Sequence, residues 1–127
     1  MSRGIVMSSR VTKPAVPLSH AVKTGNLVFV SGTTPFYGER QMAKGDFSAQ
    51  MHQVMKNITA ILEEAGTTLD KAVKINVILT DIKFFQEMNA IYRTYFKDGN
   101  YPARTTIQAP LAVEGMLLEI ECVAELS

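Results

Sequence analysis

The sequence predicts a single α+β domain, residues 1–127, in which two helices cover one face of a mixed, mainly antiparallel sheet. Three observations favour this fold class: extended segments open the chain, two segments have helical periodicity, and strand-like segments lie between and after them. A composition of 46% hydrophobic and 20% charged residues is typical of a globular domain with a core. Two helices leave the other sheet face for water or a second subunit.

The amino-terminal part of the chain is predicted to be extended. Three short runs there are rich in β-branched and apolar residues, and a Gly-Asn pair separates the last two. The predicted strands are residues 4–9, 19–24 and 26–32. A loop rich in turn-forming residues, 33–46, follows them.

The first helix is predicted between an Asp46 N-cap and a Gly66 stop. Apolar residues between them recur at helical spacing and form one stripe. They are Phe47, Met51, Val54, Ile58, Ile61, Leu62 and Ala65. This stripe is expected to pack on the sheet.

A strand over residues 72–79 and a second helix come next. Alternation in the strand predicts one face made of Val73, Ile75, Val77 and Leu79. Asp81 is the predicted cap of the helix, and Gly99 lies just beyond its expected end. The predicted buried side of that helix carries Phe85, Met88, Tyr92, Tyr95 and Phe96.

Two strands, residues 104–108 and 117–126, are predicted to complete the sheet. In the last strand the helix-covered set is Leu118, Ile120, Cys122 and Ala124. The opposite set is Leu117, Glu119, Glu121 and Val123. Because that set mixes apolar side chains with carboxylates, it favours a subunit interface containing a polar pocket over a solvated face.

The charge balance argues against polyanionic partners. Thirteen basic and twelve acidic residues give a formal net charge of +1, so no large positive field is available for nucleic acid or a membrane surface. No apolar run has the length of a signal peptide or of a membrane span. With a single cysteine, the chain is expected to be cytoplasmic.

Several kinds of chemistry lack a sequence signature. Cys122 occupies the apolar side of its strand and is interpreted as a packing residue, and His52 falls off the apolar stripe of its helix. Neither His52 nor His20 has ligand-type neighbours at metal-site spacing, and no phosphate-binding glycine motif is present. A zinc or iron centre is therefore not expected, and nucleotide cofactors lose their main support in the sequence.

Two charged residues remain as candidates for chemistry, Arg104 and Glu119. Pro102 favours an extended chain just before Arg104, and both residues are expected on the uncovered side of neighbouring strands. Spacing alone leaves two interpretations open. They form a surface ion pair of little consequence, or Arg104 holds a substrate carboxylate while Glu119 manages a proton or a water.

Four segments resemble, in order and spacing, the RidA/YjgF family of enamine and imine deaminases, also known as the L-PSP endoribonuclease-like family. They are "NLVFVSG", "MNAIYRTYF", "YPARTTI" and "LLEIECVAEL". The resemblance covers roughly residues 5 to 126. It implies a chorismate-mutase-like fold, a homotrimer with a cleft at each subunit interface, and hydrolysis of carboxylate-bearing enamines or imines to a keto acid and ammonia. No cofactor is implied.

The resemblance also assigns residues by position. Arg104 matches the arginine that holds the substrate carboxylate, and Glu119 matches the acid that activates water. The candidate substrate-binding residues are Leu18, Ser31, Gly32, Phe85, Asn89 and Thr106. Leu18 stands where tyrosine is common in the family, His20 where glutamine is common, and Thr106 where cysteine is common. These departures leave the substrate open, including 2-aminomuconate-type compounds. A carboxylate-binding module without catalysis and, least favoured, an endoribonuclease are the alternatives.

Overall fold

The computed structural model describes residues 3–127, so the predicted single domain is described without Met1 and Ser2. Six strands and two α-helices lie along this range, with three strands before the first helix and two after the second. In chain order they are β1 (Gly4–Val6), β2 (Ala21–Thr24), β3 (Leu27–Thr33), α1 (Phe47–Ala65), β4 (Ala72–Leu79), α2 (Phe85–Arg93), β5 (Ala103–Gln108) and β6 (Leu118–Glu125).

All six strands form one sheet in the order β1-β2-β3-β6-β4-β5. The β4–β5 pair is parallel and the other pairs are antiparallel. Inward-facing strand residues pack with both helices in one hydrophobic core. The predicted α+β class, with two helices on a mixed sheet, is confirmed.

The first helix matches its prediction closely. Asp46 Oδ1 accepts a hydrogen bond from the Ala49 amide at 3.0 Å, and Gly66 ends the helix with a left-handed φ of 95°. Every residue of the predicted apolar stripe is buried. Gln50 and Asn57 are buried as well, which the stripe did not indicate.

The second helix is shorter than predicted. Asp81 caps a 3₁₀ turn (Ile82–Phe84), where its side chain accepts from the Lys83 amide at 2.9 Å, and α2 begins only afterwards. It ends at Arg93. The hydroxyl group of the following residue, Thr94, donates a hydrogen bond to the Ile91 carbonyl. The predicted buried-side residues Tyr95 and Phe96 therefore lie beyond α2, although they still pack against the core. Across residues 3–127, neither helix combines the length and the apolarity that a membrane span requires.

Strand β4 departs from simple alternation at its start. The pairing with β6 shifts register between Ala72 and Lys74, so the inward set begins at Ile75. Val73, predicted on the inward face, is instead 39% exposed. A bulge inserts one residue and turns the side chains before it to the other face, which explains the error.

Strand β6 confirms the predicted alternation. Leu118, Ile120, Cys122 and Ala124 are all buried. On the opposite face Glu121 is exposed, and Glu119 and Val123 are half-buried. Two large apolar side chains, Ile5 at 55% and Phe29 at 45% exposure, also stand out in β1 and β3. This face of the sheet is partly apolar, as the sequence predicted.

Candidate functional site

Arg104 lies on the helix-covered face of the sheet. In the parallel β4–β5 pair it stands opposite Ile75, and Thr106 stands opposite Val77. Ile75 and Val77 are fully buried in the core, and directly paired residues share a face of a sheet. Arg104 Nη1 accordingly reaches to 3.9 Å from the Met88 sulfur of α2.

The Arg104 guanidinium rests against aromatic rings. Its Cζ is 4.9 Å from the centroid of the Tyr92 ring and 5.9 Å from that of Phe85. Such contacts stabilise a cation without neutralising it. Among residues 3–127, no carboxylate lies within ion-pair distance of Arg104. The guanidinium thus keeps its charge and its capacity to bind an anion bidentately.

Two hydroxyl groups on the same side have unused hydrogen-bonding capacity. Tyr92 Oη and Thr106 Oγ1 are buried without a hydrogen-bond partner in the described part of the chain. Burial raises the pKa of Tyr92 to about 12, so its hydroxyl is neutral and does not compensate Arg104. Asn89, one helical turn after Phe85, is half-buried. We call Arg104, Thr106, Phe85 and Asn89 the arginine group.

Glu119 lies on the opposite face of the sheet. It stands opposite Ile78 of β4, between the buried residues Leu118 and Ile120. Strand β3 bulges beside it, since its register with β6 shifts between Val30 and Thr33.

Gly32, in this bulge, packs directly under the Glu119 side chain. A Cβ atom at Gly32 would lie 3.0 Å from Glu119 Cδ and closer still to Oε2. A larger residue at position 32 would therefore push the end of the Glu119 side chain out of this position.

Glu119 borders a cleft of about 810 Å³. Leu18, Ser31 and Gly32 line it too, and we call these four residues the glutamate group. Most of the remaining lining is apolar, including Val16, Phe36, Ile61, Val113 and Met116. Ser31 is held from two sides: its hydroxyl donates to the Ser19 carbonyl at 2.6 Å, and its amide donates to the His20 carbonyl at 3.0 Å.

The cleft makes Glu119 easier to protonate. Burial raises the pKa of the carboxyl group above the usual range, and the nearby charge of Glu121 raises it further. A carboxyl group of this kind exchanges a proton closer to neutral pH than an exposed glutamate does.

The remaining titratable candidates have structural surroundings. Burial raises the pKa of the Cys122 thiol to about 12, which leaves it un-ionised and agrees with its interpretation as a packing residue. His52 is exposed, with Nδ1 2.5 Å from the Tyr95 hydroxyl. Over residues 3–127, no three His, Cys, Asp or Glu side chains cluster as a metal site would require.

The structure corrects the predicted relation between Arg104 and Glu119. Their strands are not neighbours, because β4 lies between β5 and β6. Arg104 also points to the helix-covered face, not to the uncovered one, so the sheet separates it from Glu119. The eight candidate residues divide into the arginine group and the glutamate group, and a single copy of the chain does not bring the two together.

Tyr92 and His20 have roles that the sequence did not indicate. Tyr92 was predicted only as a core residue, yet its ring supports Arg104. Its position one turn after Asn89 on the same helix was the available signal. For His20, the sequence indicated only that metal-ligand neighbours are lacking and that glutamine is common at this position in the family, whereas both ring nitrogens bind backbone groups near the cleft.

Known proteins are similar to this chain over a range that contains both the arginine group and the glutamate group. The family model described as "Endoribonuclease L-PSP" matches residues 8–126, which include both groups. The chain belongs to the RidA/YjgF family. A member of the RutC family from Pyrococcus abyssi is 38% identical over 125 residues, which cover 98% of each chain.

Solved structures place the fold within the RidA/YjgF family as well. RidA from the Antarctic bacterium Psychrobacter superposes with a TM-score of 0.89 at 34% identity, covering 96% of this chain and 98% of that one. Escherichia coli TdcF with bound serine superposes with a TM-score of 0.88 at 27% identity, covering 98% and 99%.

Proposed function

We propose that the protein hydrolyses carboxylate-bearing enamines and imines to a 2-keto acid and ammonia. The observation that carries the proposal is Arg104, a half-buried cation held on aromatic rings with no carboxylate partner in the described chain. A charge-assisted bidentate contact with a substrate carboxylate contributes about 1.5 to 3 kcal/mol. Bound serine in TdcF, which also carries a carboxylate, supports this choice of ligand.

We further propose that the working unit is a chorismate-mutase-like homotrimer. The arginine and glutamate groups lie on opposite faces of one sheet, so an active site that uses both takes one group from each of two copies. The exposed Ile5 and Phe29 side chains on the uncovered face support such packing, because apolar surface of this kind favours burial between subunits.

The proposed mechanism has two steps. The substrate carboxylate binds Arg104, which places the imine carbon beside Glu119 of the neighbouring copy. Glu119 takes a proton from a water as the water oxygen bonds to the carbon of the iminium group, C=NH2+, and the C=N π electrons become the nitrogen lone pair of a neutral carbinolamine. Glu119 then gives that proton to the nitrogen, and the C–N bond breaks as the hydroxyl oxygen forms the keto group. The hydroxyl proton passes to the departing ammonia, which leaves as ammonium. Imines hydrolyse unaided, so positioning supplies much of the acceleration required.

The cleft favours substrates larger or more apolar than 2-aminoacrylate. The exposed residues Leu18 and Val16 line the cleft together with Phe36 and Val113. Their side chains can make apolar contacts with a substrate side chain. Extended compounds of the 2-aminomuconate type therefore belong in any substrate panel.

The test is to follow imine decay in a panel of imino acids that an amino-acid oxidase generates in situ. Wild-type protein is expected to accelerate decay, and Arg104→Ala to lose about 100-fold in kcat/KM because the carboxylate contact is gone. Arg93→Ala, which removes an exposed arginine at the end of α2, is the matched control and should behave as wild type. Full activity in Arg104→Ala would overturn the proposal.

A carboxylate-binding module without catalysis is the second candidate. It is favoured by the separation of Arg104 from Glu119 within one copy, since the arginine group can bind an acid without the carboxylate of Glu119. Tight binding of 2-ketobutyrate with no acceleration of imine decay would support it. Endoribonuclease activity, which the family description names, is the least favoured candidate at a net charge of +1. Degradation of a defined RNA that is lost in Arg104→Ala would revive it.

A further inference from the structure

The buried imidazole of His20 binds two backbone groups of one segment. His20 is only 5% exposed, and its Nδ1 accepts a hydrogen bond from the Ser8 amide at 3.0 Å. Nε2 lies 3.2 Å from the Thr12 carbonyl oxygen. An amide can only donate and a carbonyl can only accept, so the ring fits this site as the neutral tautomer with its proton on Nε2.

The segment held by His20 forms a wall of the Glu119 cleft. We call residues 8–16 the wall segment. Residues 11–16 line the Glu119 cleft, and residues 8–13 line a second cavity of about 550 Å³. The wall segment thus borders both spaces. Its position depends on the groups that tie it to the rest of the fold.

Other ties to the wall segment are exposed to solvent. Thr12 Oγ1 donates to the Gly38 carbonyl at 2.9 Å, and Arg40 Nη2 donates to the Lys13 carbonyl at 2.6 Å, both at the surface. The Ser8 bond to His20 is buried, and hydrogen bonds shielded from water cost more to break. The backbone carbonyl of His20 also accepts a hydrogen bond from the Ser31 amide, so His20 contacts both the wall segment and the glutamate group.

We infer that His20 is a positioning residue that holds the wall segment beside the start of β2 and so shapes the Glu119 cleft. Loss of the imidazole would leave the buried Ser8 amide without its acceptor and the Thr12 carbonyl without its ring contact. Removal of the ring is therefore expected to loosen the wall segment. The inference deepens the proposed function and rests on it for its ligand readout alone.

The experiment compares wild type with three variants of the full chain. His20→Leu removes both hydrogen bonds, and His20→Gln keeps a donor and an acceptor. His52→Gln removes the other histidine, which is exposed, and is the matched control. Two quantities are measured for each protein: amide hydrogen exchange of residues 8–16 and the Kd for 2-ketobutyrate.

His20→Leu is expected to exchange about tenfold faster over residues 8–16 and to bind 2-ketobutyrate about tenfold more weakly. His20→Gln, which restores a donor and an acceptor, and the control His52→Gln should both stay close to wild type.

Unchanged exchange in His20→Leu would overturn the inference, and so would exchange in His20→Gln as fast as in His20→Leu. If His20→Leu does not fold, the wild type decides: a Ser8 amide that exchanges as fast as the amides of the exposed residues Ala15 and Val16 would overturn the inference. The expected exchange pattern without any binding of 2-ketobutyrate would support the positioning role and count against the proposed function.

Discussion

The two faces of the sheet surround a partly buried ionisable side chain differently: one stabilises the charged form and the other disfavours it. On the helix-covered face, Arg104 rests on the Tyr92 ring, which stabilises the cation and leaves its charge available. On the other face, burial and the charge of Glu121 raise the pKa of Glu119 and so disfavour its charged form. Arg104 keeps a positive charge that can bind an anion, whereas Glu119 is suited to exchange a proton. These surroundings therefore suit the arginine group to substrate binding and Glu119 to proton transfer.

The largest effect that would test this contrast is expected from Glu119→Gln. The amide keeps the shape of the side chain but cannot take a proton from water, so kcat for imine decay should fall about 100-fold with little change in KM. Glu121→Gln, an exposed neighbour on the same face, should remain active. A comparable rise in KM with kcat retained would instead assign Glu119 to substrate binding. The two faces would then not differ in function.

The pH profile sharpens the same prediction. Glu119 acts as a base only when ionised, and its raised pKa means that it becomes protonated at a higher pH than an ordinary glutamate. The rate should therefore fall as pH is lowered through that raised pKa. Glu121→Gln removes one cause of the shift, so the fall should move to lower pH. A profile that is identical in Glu121→Gln would contradict the assignment.

A smaller effect is expected from Gly32→Ala. The added methyl group would meet the flexible end of the Glu119 side chain and displace it, which should lower kcat about tenfold while thermal stability stays close to that of wild type. Kinetics and thermal unfolding measure the two quantities. Gly4→Ala is the control, because its Cβ would make only ordinary contacts, with the closest atoms of Lys23 at 3.8 Å.

The smallest effect concerns the support of Arg104. Tyr92→Leu removes the ring beneath the guanidinium and should weaken 2-ketobutyrate binding about fivefold, which calorimetry can measure. Tyr92→Phe keeps the ring and removes only a buried hydroxyl that has no hydrogen-bond partner within residues 3–127, so affinity should stay near wild type. A large loss in Tyr92→Phe would show that the hydroxyl itself contacts the ligand.

Local features of the fold were predictable from short stretches of sequence. Asp46 and Gly66 bound α1 as expected, and the alternation of β6 identified its buried residues correctly. Errors arose where distant parts of the chain interfere with a local pattern. The bulge at Ala72–Lys74 depends on pairing with β6 and exposes Val73, while the Asp81 cap belongs to a short turn that precedes α2.

The sequence by itself determined which residues are candidates and how each lies within its own strand or helix, because capping and periodicity depend on neighbours a few residues away. Only the tertiary structure decided how those residues are grouped. The insertion of β4 between β5 and β6 puts Arg104 and Glu119 on opposite faces, and the fold places Tyr92 under the one and Gly32 under the other. Strand order is set by contacts between residues far apart in the chain, and periodicity carries no record of them.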